Sequence, residues 1–433
     1  MRTITTSLLA LSILALPATG RGQANTPAPV SNSMPQNNFG FNLPTHLGTL
    51  DYSVSGSEML EFGSEQGSSA YASTALSGNL AYMSPSQRFP FSMIYSGGLV
   101  FTTVPGNSNT ETFQDIAVSQ VANFKSWVFV VSDSLSFLPG SPTTGLSGYA
   151  GVGDVGVAPV QTGIGPNQSI LTNYSNRIGN GLEGSATWQA TPSLDLEASG
   201  SWQVLHFTGN VDAVNTNQIS ATAGPSYRID ARNSVGAAAY YSDVTYPSYG
   251  EYKIETEGVN INYNRAWTRK LSTTFSFGPA RTHGITTAAI PQRWNLAGSA
   301  QVSYATRTTG FYGSYDRSVN GGSGIIFGAL TDSVAVGMER PINRDWNLGL
   351  QATYSRSVGL IPVNGLVPSY NSVFGGAQVS RRISESLSCY GSYTVVWQSG
   401  KNQPSALGPA FNGTNNIFGF GITFAPAPLL SGR

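Results

Sequence analysis

The densest group of chemistry-bearing side chains is Glu183, Asp195 and Glu197, gathered around one short polar turn, with Arg228 on the following segment. Carboxylates opposed by a single guanidinium either draw cations or hold a wall together. The second reading is the better one, since solvated pairs of this kind contribute only about 0–1 kcal/mol each. His206 and His283, with Asp212 and Asp243 nearby, could place a carboxylate beside an imidazole and activate water. Both histidines fall at segment ends, where such residues are common without catalysis. Ser276 and His283 share one segment, whereas a nucleophile and its base need neighbouring strands at matched height. Lys253, Glu255 and Glu257 alternate on one parity and describe a solvated strand end. Gly151-x-Gly153 lacks the helix that a phosphate loop requires. The single cysteine, Cys389, forms neither a disulfide framework nor a thiolate metal site. No catalytic residue, metal or cofactor is therefore expected.

The elements that carry these residues have a distinct composition. Only 10% of the 433 residues are charged, against roughly 25% in an ordinary soluble domain. Mean hydropathy is nevertheless near zero, and beyond the leader there is no apolar run near the ~20 residues that a membrane helix needs. With 22 basic and 22 acidic residues the chain has no net charge, which argues against a nucleic-acid partner.

From about residue 48 the chain alternates apolar residues with Ser, Thr, Asn, Gln or Gly in runs of about ten to fifteen residues, the period of a strand with two unlike faces. Over Trp346–Tyr354 one parity holds Trp346, Leu348, Leu350, Ala352 and Tyr354, and the other Asn347, Gln351 and Thr353. Phe418, Phe420, Ile422 and Phe424 oppose Gly419, Gly421 and Thr423 in the same way. Trp127, Trp188, Trp267 and Trp346 sit within a few residues of short polar turns, and Trp294 and Trp397 just inside longer loops. Aromatic rings at both ends of such strands form the interfacial girdles of a transmembrane β-barrel, its apolar alternates facing outer-membrane lipid. The expected fold is an all-β, antiparallel up-and-down barrel of about eighteen strands, sixteen being the neighbouring even count.

Connections alternate in length. Short ones fall at Thr191–Ser193, Thr268–Lys270 and Ser384–Ser386, and long ones at 139–177, 284–292 and 400–414. That pattern predicts short periplasmic turns, longer outer loops, and first and last strands as antiparallel neighbours. Ahead of the barrel, residues 1–24 read as a cleaved signal peptide: Arg2, the apolar stretch Leu8–Leu16, Pro17, and Gly22-Gln23-Ala24 before the cut. Residues 25–47, rich in Pro and Asn, read as a flexible periplasmic leader. The barrel is assigned to 48–424 and a C-terminal tail to 425–433.

On these residues the chain resembles the Gram-negative outer-membrane β-barrel proteins of porin size, with a fainter likeness to barrels of exopolysaccharide export systems. The resemblance implies export to the outer membrane of a diderm bacterium. It also implies recognition by the outer-membrane assembly machinery through Phe418, Phe420, Ile422 and Phe424, although nine residues follow the last of these. Homotrimers are common in such families. Porins fold their third loop inward, which would make residues 139–177, with Asp154 among them, a constriction; the alternative is an exposed loop or a further hairpin around Val152–Val160. Asp154, Glu183, Asp195, Glu197, Arg228 and Gln351 are the expected pore-lining residues. The function expected is passive diffusion of small hydrophilic solutes with weak charge selectivity. The alternatives are an export component for polysaccharide or a surface structure and, third, a rim hydrolase.

Overall fold

A computed structural model describes residues 48–63, 70–84, 86, 88–104, 107–138, 176–208, 214–249, 252–284, 292–322, 326–362, 365–402, 412–427 and 429–430. The signal, the leader, Asp154 and Asp212 lie outside these residues, as does all of the loop 139–177 except Asn176 and Arg177.

The chain folds as eighteen long strands and a short nineteenth. The first are β1 (Thr49–Gly63), β2 (Tyr71–Met83), β3 (Phe91–Val104), β4 (Asn107–Asn123), β5 (Trp127–Leu138) and β6 (Asn176–Thr191). Next come β7 (Leu194–Thr208), β8 (Thr216–Arg228), β9 (Asn233–Thr245), β10 (Lys253–Ala266), β11 (Leu271–Gly284) and β12 (Arg293–Ala305). The ring is completed by β13 (Gly310–Asn320), β14 (Ala329–Pro341), β15 (Trp346–Gly359), β16 (Ser369–Arg382), β17 (Leu387–Lys401) and β18 (Gly413–Phe424). Each of the eighteen long strands pairs antiparallel with its sequence neighbours, and β1 pairs with β18 from Val54↔Phe424 to Gly63↔Asn415. The sheet thus closes on itself and leaves no edge, which is what a wall in hydrocarbon requires of its backbone.

The expected tail is partly sheet. Leu429–Leu430, β19, pairs with Thr49–Leu50 and lengthens the seam between the chain's two ends. β14 starts at Ala329 rather than near residue 324, because Gly322 and Gly328 adopt positive φ (82° and 66°) and turn the chain out of the ladder.

The short turns share one device. Thr191, Asp230, Thr268, Thr306, Asn343 and Ser384 each accept backbone N–H groups two and three residues on. Such side chains mimic a backbone turn and satisfy donors that the ladder leaves over.

Side chains alternate as the period demands. Along β15, Leu350, Ala352, Tyr354 and Arg356 are exposed on the outer face, while Gln351, Thr353, Ser355 and Ser357 are buried on the inner one. Phe420 is 60% exposed, Ile261 64% and Trp294 66%, with no protein against them, so the outer face is apolar and uncovered. Trp127 stacks on Trp188 at 5.8 Å across β5 and β6. At the short-turn rim the Arg265 guanidinium lies 3.9 Å over Trp267, and that of Arg381 lies over Trp346. Trp202, overlooked among the expected girdle residues, also faces outward on β7 and donates to Asn217 Oδ1 at 2.6 Å.

Candidate functional site

The inner wall holds the residues expected to line a pore. Glu183 stands on β6, Asp195 and Glu197 on β7, Arg228 on β8 and Gln351 on β15, all on inward parity. Asp195, Glu197 and Arg228 gather near the turn between β6 and β7, Glu183 lies opposite Ser201 further along the ladder, and Gln351 stands apart. The Arg228 guanidinium reaches Asp195 Oδ2 at 3.9 Å, a loose contact, and its Nη1 donates to the Pro192 carbonyl. Asp195 Oδ1 is buried and has no hydrogen-bond partner. Neither amide atom of Gln351 has one, and both neighbours of Gln351 in the ladder are glycines, Gly337 and Gly376. Thr353 Oγ1 and Thr423 Oγ1 are in the same state. Buried polar atoms that no protein group satisfies call for water.

Inward carboxylates share a local setting that sequence periodicity did not expose. Glu183 sits between Ser132 and Ser201, and Glu197 between Thr187 and Gly224. Asp115 lies between Ser96 and Ser136, and Asp316 between Ser299 and Ser333. On the outer face carboxylates meet bases instead. Glu257 pairs with Arg281 at 2.8 Å, and Asp332 with Arg317 at 2.7 Å while Arg356 flanks it on β15. Lys253 bridges Asp243 and Glu255, and His283 lies 3.3 Å from Glu255. Two outward carboxylates lack a base across the ladder: Thr74 donates to Glu58, and Asn180 to Asp133.

His206 on β7 and His283 on β11 are separated by three strands and are not brought together. His283 and Asp243 flank Glu255 from opposite neighbouring strands, and Lys253 occupies the carboxylate of Asp243. Among the described residues no group of His, Cys, Asp and Glu is placed to hold a metal ion.

Inward tyrosines are built into the wall. Tyr240, Tyr312 and Tyr390 lie over their ladder partners Gly258, Gly337 and Gly421, in space that a Cβ would fill. The rings therefore lie along the sheet and leave the lumen clear.

The inner face is not polar throughout, as the alternation had suggested. Met59, Ala75, Val100, Phe113 and Ile417 form an inward apolar cluster beside the seam. A second cluster closes part of the long-loop mouth: Val214, Val244, Tyr246, Ile254, Phe327 and Leu360. Here the described parts of the connection between β13 and β14, residues 321–322 and 326–328, turn inward. Gly321 packs on inward Thr216 of β8, Gly328 on inward Ile254 of β10, and Ile326 on Tyr370 of β16. Contact with inward residues of such distant strands puts this segment inside the ring. Phe327 stacks on Tyr252 at 4.5 Å and meets Tyr246 and Tyr249 edge-on at 5.3 and 5.0 Å. The Tyr246 hydroxyl donates to the Gly321 carbonyl, the Leu360 N–H donates to that of Gly328, and burial pushes the Tyr246 hydroxyl's pKa well up. The G-G-x-G-I-I-F-G run is the signal that could have marked it: glycines that free the backbone, around three apolar residues too few for a strand.

No protein-family model matches this chain, and no curated protein does. Among solved structures it is similar to Pseudomonas aeruginosa OpdQ, at 11% identity over 88% of this chain and 99% of that one, with a TM-score of 0.42. It is similar also to Pseudomonas aeruginosa OccK7 (OpdD), at 10% identity over 88% and 99%, TM-score 0.44. For Acinetobacter baumannii OccAB3 the values are 10%, 87% and 99%, with a TM-score of 0.41. Likeness at that depth assigns no role to any residue of this chain.

Proposed function

We propose that this chain is an outer-membrane channel for the passive diffusion of small hydrophilic solutes. A closed barrel of this strand number leaves an aqueous passage, and no reaction is needed. The observation that carries the reading is the set of inward polar atoms without a protein partner, at Asp195, Gln351, Thr353 and Thr423, behind an uncovered apolar outer face. These atoms are shut off from bulk solvent and call for bound water in the wall behind the passage, the setting expected of a polar, hydrated lumen. Glu183, Asp195, Glu197, Arg228 and Gln351 are the pore-lining residues in this reading, and the tryptophans its girdles.

The address belongs to the same proposal. A cleaved signal over 1–24 delivers the chain across the inner membrane, and a leader over 25–47 stays in the periplasm with the short turns. Phe418, Phe420, Ile422 and Phe424 are read by the assembly machinery. In the export alternative the leader and the long loops would bind partners, and the leader lies outside the described residues.

The test is reconstitution of the mature chain in planar bilayers. Steady single-channel conductance on the nanosiemens scale is expected. Silence from correctly folded, heat-modifiable protein would overturn the reading.

A further inference from the structure

The chain's zero net charge hides a separation of charge between its two faces. Basic side chains are mostly spent on the outside and at the short-turn rim: Arg281, Arg317, Arg356 and Lys253 face outward, and Arg265 and Arg381 stack on tryptophans. Within the inner wall the bases are Arg177 and Arg228, with Arg293 and Arg382 at strand ends. Carboxylates go the other way. Asp195 and Glu197 stand together on β7, while Glu183 on β6 and Asp316 on β13 face inward elsewhere on the wall. Each has hydroxyl, amide or glycine neighbours in the ladder, and only Asp195 has a guanidinium near it. A second feature points the same way. Asp195, 5% exposed, keeps one carboxylate oxygen without any donor although it lies beside an arginine.

We propose that the lumen passes small cations, inorganic ions and organic amines, ahead of anions of the same size, and that Glu183, Asp195 and Glu197 set this preference. The inference rests on the channel reading and gives its selectivity a sign. The mechanism is electrostatic. A narrow passage lined by one sign of charge between low-dielectric walls raises the local concentration of the opposite ion. Arg228 offsets part of this field at Asp195 and leaves Glu183 and Glu197 uncompensated across the ladder. Serine, threonine and glycine are the ladder neighbours of those two carboxylates, so a passing cation meets carboxylate oxygen without first breaking an ion pair across the ladder.

The experiment is the reversal potential of single channels under a KCl gradient, with the full mature chain. Potassium is expected to permeate several-fold better than chloride at about 0.1 M salt, where the Debye length is about 10 Å, and the ratio should fall toward one near 1 M, where it is about 3 Å. Glu183→Gln combined with Glu197→Gln should bring the dilute-salt ratio close to one, whereas Asp332→Asn on the outer face should leave it unchanged. Substituting triethanolammonium for potassium should keep the sign. An open channel with a ratio at or below one in dilute salt overturns the inference alone, as does a preference that ignores salt concentration. A ratio unmoved by the double substitution in folded, conducting protein does so too. A silent wild-type protein overturns the channel reading, and this inference with it.

Discussion

The two faces of one wall treat the same functional group differently. Glu257 and Asp332 on the outer face each meet an arginine within 3 Å, while Glu183 and Glu197 on the inner face meet serine, threonine and glycine. The difference follows from what lies beyond each face. A carboxylate near hydrocarbon must be neutralised on the spot, because a charge leaving water costs several kcal/mol unless paired. A carboxylate in a wet lumen can leave its charge to water, and so can act at a distance on passing ions. Glu58 and Asp133 mark the limit of the rule: they face outward among apolar neighbours, with no base opposite them in the ladder, and accept from Thr74 and Asn180.

The sharpest way to break the comparison is at the mouth, where the inner face turns apolar. Phe327→Ala removes the ring that gathers Tyr246, Tyr249 and Tyr252. A buried Phe→Ala change costs about 3–5 kcal/mol of packing, here borne by the inward segment rather than by the barrel. Single-channel conductance should rise, with open-state noise, while urea unfolding of the barrel in liposomes should hardly move. Unchanged conductance would mean that this cluster does not narrow the passage.

Adjacent residues offer the next largest contrast. Leu350 is 40% exposed on the outer face and Gln351 is buried on the inner one. Leu350→Arg should destabilise the barrel by about 2–4 kcal/mol if it lies near the bilayer midplane, read from the unfolding midpoint in liposomes. Gln351→Arg should leave that midpoint nearly where it is and lower cation preference instead. Equal damage from both would refute the assignment of faces.

Much of this was legible in the sequence because period two is a strong signal when one face is lipid and the other wet. Trp346 to Tyr354 and Phe418 to Phe424 could be assigned a face from residue types alone, and the closing pair β1 and β18 followed from the alternation of loop lengths. Three things were not legible. Residues 326–328 read locally as part of a strand that starts near 324, and only the contacts of Gly321, Ile326 and Gly328 with β8, β16 and β10 reveal that the chain turns inward there. Leu429–Leu430 carries no period long enough to mark a strand, and its pairing depends on where β1 ends. The partners of each carboxylate depend on ladder register, which parity does not specify: Glu183 opposite Ser201 and Glu257 opposite Arg281 look alike in one dimension.

A smaller effect is expected where the outer face pairs its charges. Asp332→Asn removes the carboxylate that accepts from Arg317 and from the Tyr315 hydroxyl. Both ion-pair partners are about one-third exposed, so the loss should be no more than about 1 kcal/mol. A change in the unfolding midpoint beyond that would show the pair to be more deeply shielded than its exposure implies.

The turns belong to neither face and supply the mildest test. Asp230 accepts from the backbone N–H of Arg232 and from both the side chain and the backbone of Asn233, and these bonds, the Arg232 one foremost, hold its carboxyl below the ordinary range. A folded-state value below the unfolded one means that protonation opposes folding. The turn's contribution should therefore be complete above the ordinary carboxylate range and vanish as pH falls through the lowered folded value. The group is fully exposed, so the effect should be small and should shrink in salt. Asp230→Asn keeps an acceptor for the same N–H groups and should abolish this acid dependence while leaving neutral-pH stability close to wild type. The discriminating measurement is the difference in unfolding midpoint between the two proteins across acid pH. If the gap instead widens toward neutral pH, the charge and not the turn geometry holds the hairpin, and the caps at Thr191, Thr268, Thr306 and Ser384, which carry no charge, would need a different account.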